Sequence, residues 1–198
     1  MPYEVVIYML SCGDLRKRLQ FQIIFQCAPF LKGLKVACIM NLRGAACEEL
    51  DSFFEGTEVY YRVLTRQKGR CLVLFYRERE FESYLGREDV QEFLKVYGYS
   101  GTDIQVVLGR LSRRVCQYAE HNSGFPHEIG VFLDYPVEDV ACFIRERGRN
   151  SLLDGYWKVY HNPVRAQMTF YAYDKAKVSA VNEYLSGRSV RDIILRAR

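Results

Sequence analysis

The apolar positions of the chain change rhythm several times, between the period of a strand and that of a helix. Residues 1–10, Met-Pro-Tyr-Glu-Val-Val-Ile-Tyr-Met-Leu, are rich in β-branched and aromatic side chains and predict a strand. Asp14 can cap a helix that turns Leu15, Leu19, Ile23 and Phe25 inward, and that helix should stop near Cys27 because Pro29 disfavours helical geometry at Ala28. Pro29 would then open a short turn for Gly33 to end, which sets Cys27 just before a helix N-terminus. A nearly continuous apolar run at 35–42 predicts a strand covered on both faces, followed by a helix over 45–55 with Cys47, Leu50 and Phe54 on one side. Strands at 59–64 and 71–76, separated by the polar, glycine-bearing 65–70, make the clearest hairpin.

Helices are expected over 80–85, 88–97 and 102–121. In the third, Thr102 and Gln105 have capping-box spacing, and Ile104, Leu108, Leu111, Val115 and Tyr118 form one stripe. A strand over 128–133 and a helix from Pro136 to about 147 follow, with Val140, Phe143 and Ile144 inward and Gly148 placed to stop it. A strand over 156–160 then leads to Asn162-Pro163, a good cap and first turn for a long helix reaching about 185, before Gly187 and a short basic tail at 188–198. No repeat, low-complexity stretch or linker interrupts this order. The pattern predicts one α+β domain over 1–198, with a mixed or antiparallel sheet and helices packed largely on one side.

Composition narrows the function classes. With 198 residues, 49% of them hydrophobic, the chain can bury a real core. Its formal charge of +4 comes from basic residues spread among acidic ones, a weak argument for nucleic acid. The opening is apolar but has no basic leader and contains Glu4, so it is a poor signal peptide, and no stretch approaches the ~18 uncharged residues a membrane helix needs. A cytoplasmic protein without a membrane partner is expected. Seven cysteines, at 12, 27, 38, 47, 71, 116 and 142, contain no Cys-x-x-Cys pair, which excludes a zinc ribbon and makes a disulfide framework unexpected.

Three places could carry chemistry. Cys27, at the expected helix start with Lys32 and Lys35 nearby, has the setting of a low-pKa thiol that could serve as nucleophile, redox sensor or soft ligand; simple packing under the Pro29 bend is the alternative. His127-Glu128 invites a metal reading, but a zincin needs a second histidine where this chain has Val131. On a strand the two would face opposite sides, and Gly130 beside Glu128 would make room for a ligand or for another backbone; a structural histidine anchoring a loop is the alternative. Alternation in the later strand puts Tyr156, Lys158 and Tyr160 on one face, suited to a phosphate, a carboxylate or a stacked ring, and also to ordinary sheet structure. No phosphate-binding glycine loop, Gly-x-Ser-x-Gly elbow or dinucleotide fingerprint is present.

The run Phe-Pro-His-Glu-Ile-Gly-x-Phe-Leu-x-Tyr-Pro-x-Glu-Asp-Val from Phe125, the later Tyr-Trp-Lys-Val-Tyr from Tyr156, and Cys27-Ala28-Pro29-x-Leu31-x-Gly33-x-Lys35 resemble a bacterial family, domain of unknown function 3793. The likeness runs from about Phe25 to Ile194 and implies no activity. The family pattern has histidine where this chain has Gln26 and glycine where it has Asp134, which puts a His-Cys pair at the first site in doubt. An association of such genes with iron-uptake and flavodoxin genes in anaerobic bacteria tilts the expectation towards redox or iron chemistry. The first expectation is therefore a redox- or iron-linked protein binding a small molecule or cofactor, with Cys27, His127 and Glu128 converging and Lys35 assisting. The second is a non-enzymatic protein- or RNA-binding module using the Tyr156, Lys158 and Tyr160 face. Cofactor, metal, oligomeric state and whether catalysis occurs are left open by the residues.

Overall fold

A computed structural model describes residues 3–121 and 124–195. Its middle layer is an antiparallel sheet of Ala37–Arg43 (β1), Val59–Gln67 (β2) and Arg70–Arg77 (β3), with β3 between the other two. The hairpin is the expected one, but its strands extend until only Lys68 and Gly69 are left to turn, both at positive φ (48° and 71°), as a two-residue hairpin turn requires. Period-two alternation sorts the strand side chains into two cores. Cys38, Met40, Leu42, Cys71, Val73 and Phe75 enter one; Ala37, Leu74 and Tyr76 enter the other.

Because both faces of the sheet are apolar, helices cover both, rather than gathering largely on one side as expected; the α+β class and the antiparallel pairing hold. The first face carries Tyr3–Leu10 (α1), Leu15–Leu31 (α2), Gly44–Cys47 (α3), Leu50–Phe54 (α4) and, from the far end of the chain, the long helix Pro163–Leu185 and the short Val190–Leu195. The second carries Glu78–Leu85 (α5), Glu88–Val96 (α6), Ile104–His121 (α7), Ile129–Phe132 (α8) and Val137–Arg145 (α9). A two-stranded ribbon, Leu153–Asp154 (β4) with Lys158–Val159 (β5), joins α9 to the long helix, α10, and the short last helix is α11. Lengthwise packing of α10 on α2 closes the first core.

Several expectations are corrected. Residues from Tyr3 form a helix, not a strand, because Val6 and Met9 reach the first core from a helical turn. Pro29 does not restart the chain but sits in the last turn of α2, where only one backbone bond is lost; Gly33 at φ 74° ends the helix as expected, and Leu34 N donates to Pro29 O. The Arg77 guanidinium closes the same helix end by donating to Phe30 O (2.7 Å) and Leu31 O (3.1 Å). The expected helix over 45–55 is two short ones, α3 and α4, and α7 is capped by Asp103, which accepts from Gln105 N and Val106 N, rather than by Thr102. The stretch 128–133 is helical at Ile129–Phe132, where Ile129, Val131 and Phe132 are all buried. Of 156–160 only Lys158–Val159 is strand, and the basic tail contains α11, with Val190, Ile193 and Ile194 buried. The rest of that tail, 196–198, lies outside the described residues.

Candidate functional site

The sequence-predicted residues do not assemble as expected. Cys27 lies inside α2 near its C-terminal end, 2% exposed, in the first core. Burial pushes its thiol well above the usual value, Cys38 beside it adds to the rise, and Lys35 opposes them without prevailing. That is the reverse of the low-pKa setting read from the sequence, in which Pro29 started a helix rather than continuing one. Glu128 is 1% exposed in the other core, so the two do not share a site. Its carboxylate takes hydrogen bonds from Arg114 Nε and Nη2 and from Tyr99 Oη (3.1 Å). His127 faces away from it, exposed, with its ring against Phe125 and Phe143. Gly130 serves packing: a Cβ there would meet Val140 Cγ2 at 2.9 Å.

The later trio is also engaged. Tyr156 Oη donates to Asp174 (2.8 Å) and its ring packs on Phe170 and Tyr173 of α10; Lys158 pairs with Asp154 (3.0 Å); the Tyr160 hydroxyl is buried with no hydrogen-bond partner among the described residues. The three do not form an open stacking platform. Gly155 permits this docking, since a Cβ there would stand 2.1 Å from the Phe170 ring.

Of the expected site residues, His127 and Lys158 line a small apolar slot, and Lys35 lies against two rings in the wall of a larger cleft. Its ammonium lies over the rings of Tyr135 (4.9 Å) and Tyr173 (5.8 Å), and burial pulls its pKa down against the opposing charges of Cys38, Asp134 and Cys27. Tyr135, Tyr173 and Asp134 line a cleft of about 700 Å³ between the α5–α6 corner, the turn into α9 and the start of α10. Asp134 ends α8 in the left-handed region, φ 62°, a conformation that glycine adopts without strain. Its carboxylate accepts from Val36 N (3.3 Å); burial raises its pKa, opposed by that bond, Lys35 and Arg87.

A second carboxylate braces the opposite wall. Asp139, 2% exposed, takes Trp157 Nε1 (2.8 Å), Tyr160 N (2.8 Å) and His161 N (2.9 Å), with His161 Nδ1 at 3.3 Å. This ties α9 to the entry of α10, where Asn162 at φ 45° caps the helix by accepting from Arg165 N. Arg87, bidentate with Asp89, and Arg165 bring positive charge to the cleft, and Glu92 and Glu138 bring negative charge. Tyr135 and Trp157, stacked at 5.4 Å, also line an apolar slot of about 210 Å³ with Phe125, Ile129, Leu133 and Phe143. Among the described residues no group of three or more His, Cys, Asp or Glu is placed to hold a metal ion, and no helix is long and apolar enough to cross a membrane.

Arg87, Arg165, Thr169 and Tyr173 escaped the sequence reading because they come from separate elements without a spacing motif. The available signals were the Asn162-Pro163 helix start and the Asp134-Tyr135 pair inside the most distinctive run. No curated protein and no solved structure matches the chain. One family does: that described as protein of unknown function (DUF3793) matches residues 23–194, most of the chain, and the protein belongs to it.

Proposed function

We propose that the protein binds a small molecule in the cleft between the α5–α6 corner and the start of α10. The observation that carries this reading is Asp134, held at φ 62° with its half-buried carboxyl on the wall of a cavity whose volume suits a ligand. Strain and burial at one residue cost stability, and a binding group is a common reason for keeping them. Aromatic walls at Tyr84, Tyr135, Trp157 and Tyr173 would hold a ring or chain, and the charged rim would orient polar groups. The adjoining slot, sharing Tyr135 and Trp157, suits an apolar portion of the same molecule. Small-ligand binding is thus kept from the sequence reading, while the site moves from Cys27 and His127–Glu128 to Asp134 and Tyr135. A cytoplasmic setting accords with seven unpaired thiols. A redox-linked form of the reading would draw on the neighbouring Cys27 and Cys38, under Lys35; colour and metal content after oxygen-free purification test that form.

Native mass spectrometry of protein purified gently without oxygen tests the main reading. A bound small mass should be present in the wild type and lost from Thr169→Trp, which fills the cleft, and from Asp134→Ala. Trp157, the single tryptophan of the wild type, lines the cleft, and its emission should change when the bound molecule is removed from the wild-type protein. A mass retained equally by both variants, or wild-type emission unmoved on its removal, overturns the proposal.

A further inference from the structure

Lys35 stands between two cavities. Its ammonium reaches the Tyr135 and Tyr173 rings that line the cleft, and Lys35 itself lines a second, smaller cavity of about 220 Å³ with Gly33, Val36, Arg77, Ile194 and Leu195. The backbone beside it is fixed from two directions: Val36 N donates to Asp134 (3.3 Å), and Val36 O accepts from Arg77 N (3.3 Å). Among the described residues the Lys35 side chain makes no hydrogen bond and no ion pair. Half-buried, it exchanges part of its water shell for two ring faces, which replace that shell only in part. Asp134, Cys27 and Cys38 favour its charged form, and burial outweighs them. The result is an amine held in place, desolvated, and open to a cavity of its own.

We propose that Lys35 is a nucleophilic amine that captures a small aldehyde or ketone in this second cavity as an imine. Once the ammonium has given one proton to water, the nitrogen bonds to the carbonyl carbon and passes a second proton to the carbonyl oxygen. That oxygen then leaves as water with the last proton of the nitrogen, and a C=N bond remains. Lysines desolvated by an apolar or aromatic setting suit this step because their neutral form, with its free lone pair, is favoured. The cavity also selects the class of ligand. An anion would meet Glu58 and Glu80 on the same walls, while Arg77 is engaged with Phe30 O and Leu31 O. A neutral carbonyl compound meets no such opposition, and Ile194 and Leu195 offer it apolar contact. This site is distinct from the cleft and does not depend on the cleft being filled.

Butanal with sodium cyanoborohydride at neutral pH reduces such an imine to a stable butylamine, and peptide mapping of the whole chain shows which lysines carry it. Lys35 should be labelled at least about 10-fold faster than any other lysine. Lys35→Arg, which keeps the positive charge, should remove that fast label and leave the slow ones. Leu195→Trp, an exposed position on the cavity wall, should slow the Lys35 label by about the same factor. The wild-type map decides the matter even if a variant folds poorly. A Lys35 label no faster than that of the exposed Lys17 and Lys95 overturns the nucleophile. Labelling that Thr169→Trp stops and Leu195→Trp does not would put access to the amine in the cleft and overturn the second cavity. Because this label is read at Lys35 and the native mass at the cleft, either reading can fail while the other stands.

Discussion

Arg114→Ala should destabilise this protein more than Glu128→Gln, although both break the same ion pair. Glu128 is 1% exposed, whereas the Arg114 side chain is 32% exposed, so the two partners are left in different surroundings when the other is removed. Without Arg114 a buried carboxylate keeps only the Tyr99 hydroxyl, and an orphaned buried charge costs about 3–5 kcal/mol. Glu128→Gln keeps the shape and an acceptor for Tyr99, and Arg114 can turn to water, so the cost is about 1–2 kcal/mol. For a chain of this size each kcal/mol moves the melting temperature by about 2–4 °C, giving falls of roughly 6–20 °C and 2–8 °C. Urea unfolding at neutral pH, followed by circular dichroism and by Trp157 emission, measures both. Equal losses, or a larger one for Glu128→Gln, would refute the assignment of Glu128 as the buried member of the pair.

Four other outcomes follow from the same structure. Asp134→Ala should lose about 2 kcal/mol, about half from left-handed strain and half from the lost acceptor for Val36 N, while Asp134→Gly should lose about 1 kcal/mol or less; chemical denaturation separates them. Burial raises the folded pKa of Asp134 above 3.8, so its favourable contribution is present below that pH and is lost as pH rises through the raised value. Asp134→Asn, which cannot ionise, should therefore gain on the wild type over that rise, and equal pH profiles would contradict the burial. Limiting iodoacetamide at neutral pH should alkylate the half-buried Cys12 and Cys116 first and leave Cys27 intact until unfolding, as peptide mapping would show. Gly155→Ala should cost about 1–3 kcal/mol and shift Trp157 emission, because Phe170 occupies the space its methyl needs.

Elements with a local cause were legible in the chain. The hairpin, the Asp14 cap, the stops at Gly33 and Gly148, and the Asn162-Pro163 start of α10 each follow from two or three neighbouring residues. Tertiary burial decided the rest. The segment from Tyr3 has strand-like composition, yet a helical turn is what brings Val6 and Met9 to the core; Ile129, Val131 and Phe132 are apolar on all sides of one short helix, a pattern that a buried strand shares. Cys27 was misplaced for a subtler reason. A proline disfavours helix before it, but in a last turn sealed by Arg77 the penalty is outweighed, and the thiol ends up at the wrong end of a helix dipole for activation. The sequence singled out Lys35, but not the rings it lies against, since Tyr135 and Tyr173 reach it from elements far along the chain.

The packing of α10 on α2 sets an order of events during synthesis. The cleft cannot exist, and the first core cannot close, until the end of the chain arrives, since Ala180 and Val181 of α10 and Ile193 and Ile194 of α11 belong to the same core as Ile23 and Ile24 of α2. At about 5–20 residues per second, the stretch between the end of α2 and the end of α10 takes roughly 8–30 s to make. Over that interval α2 and one face of the β2–β3 hairpin stand open to solvent and to other nascent chains. A holding chaperone, or slow production at low temperature, should therefore raise the yield of native protein more than any change made within the finished core.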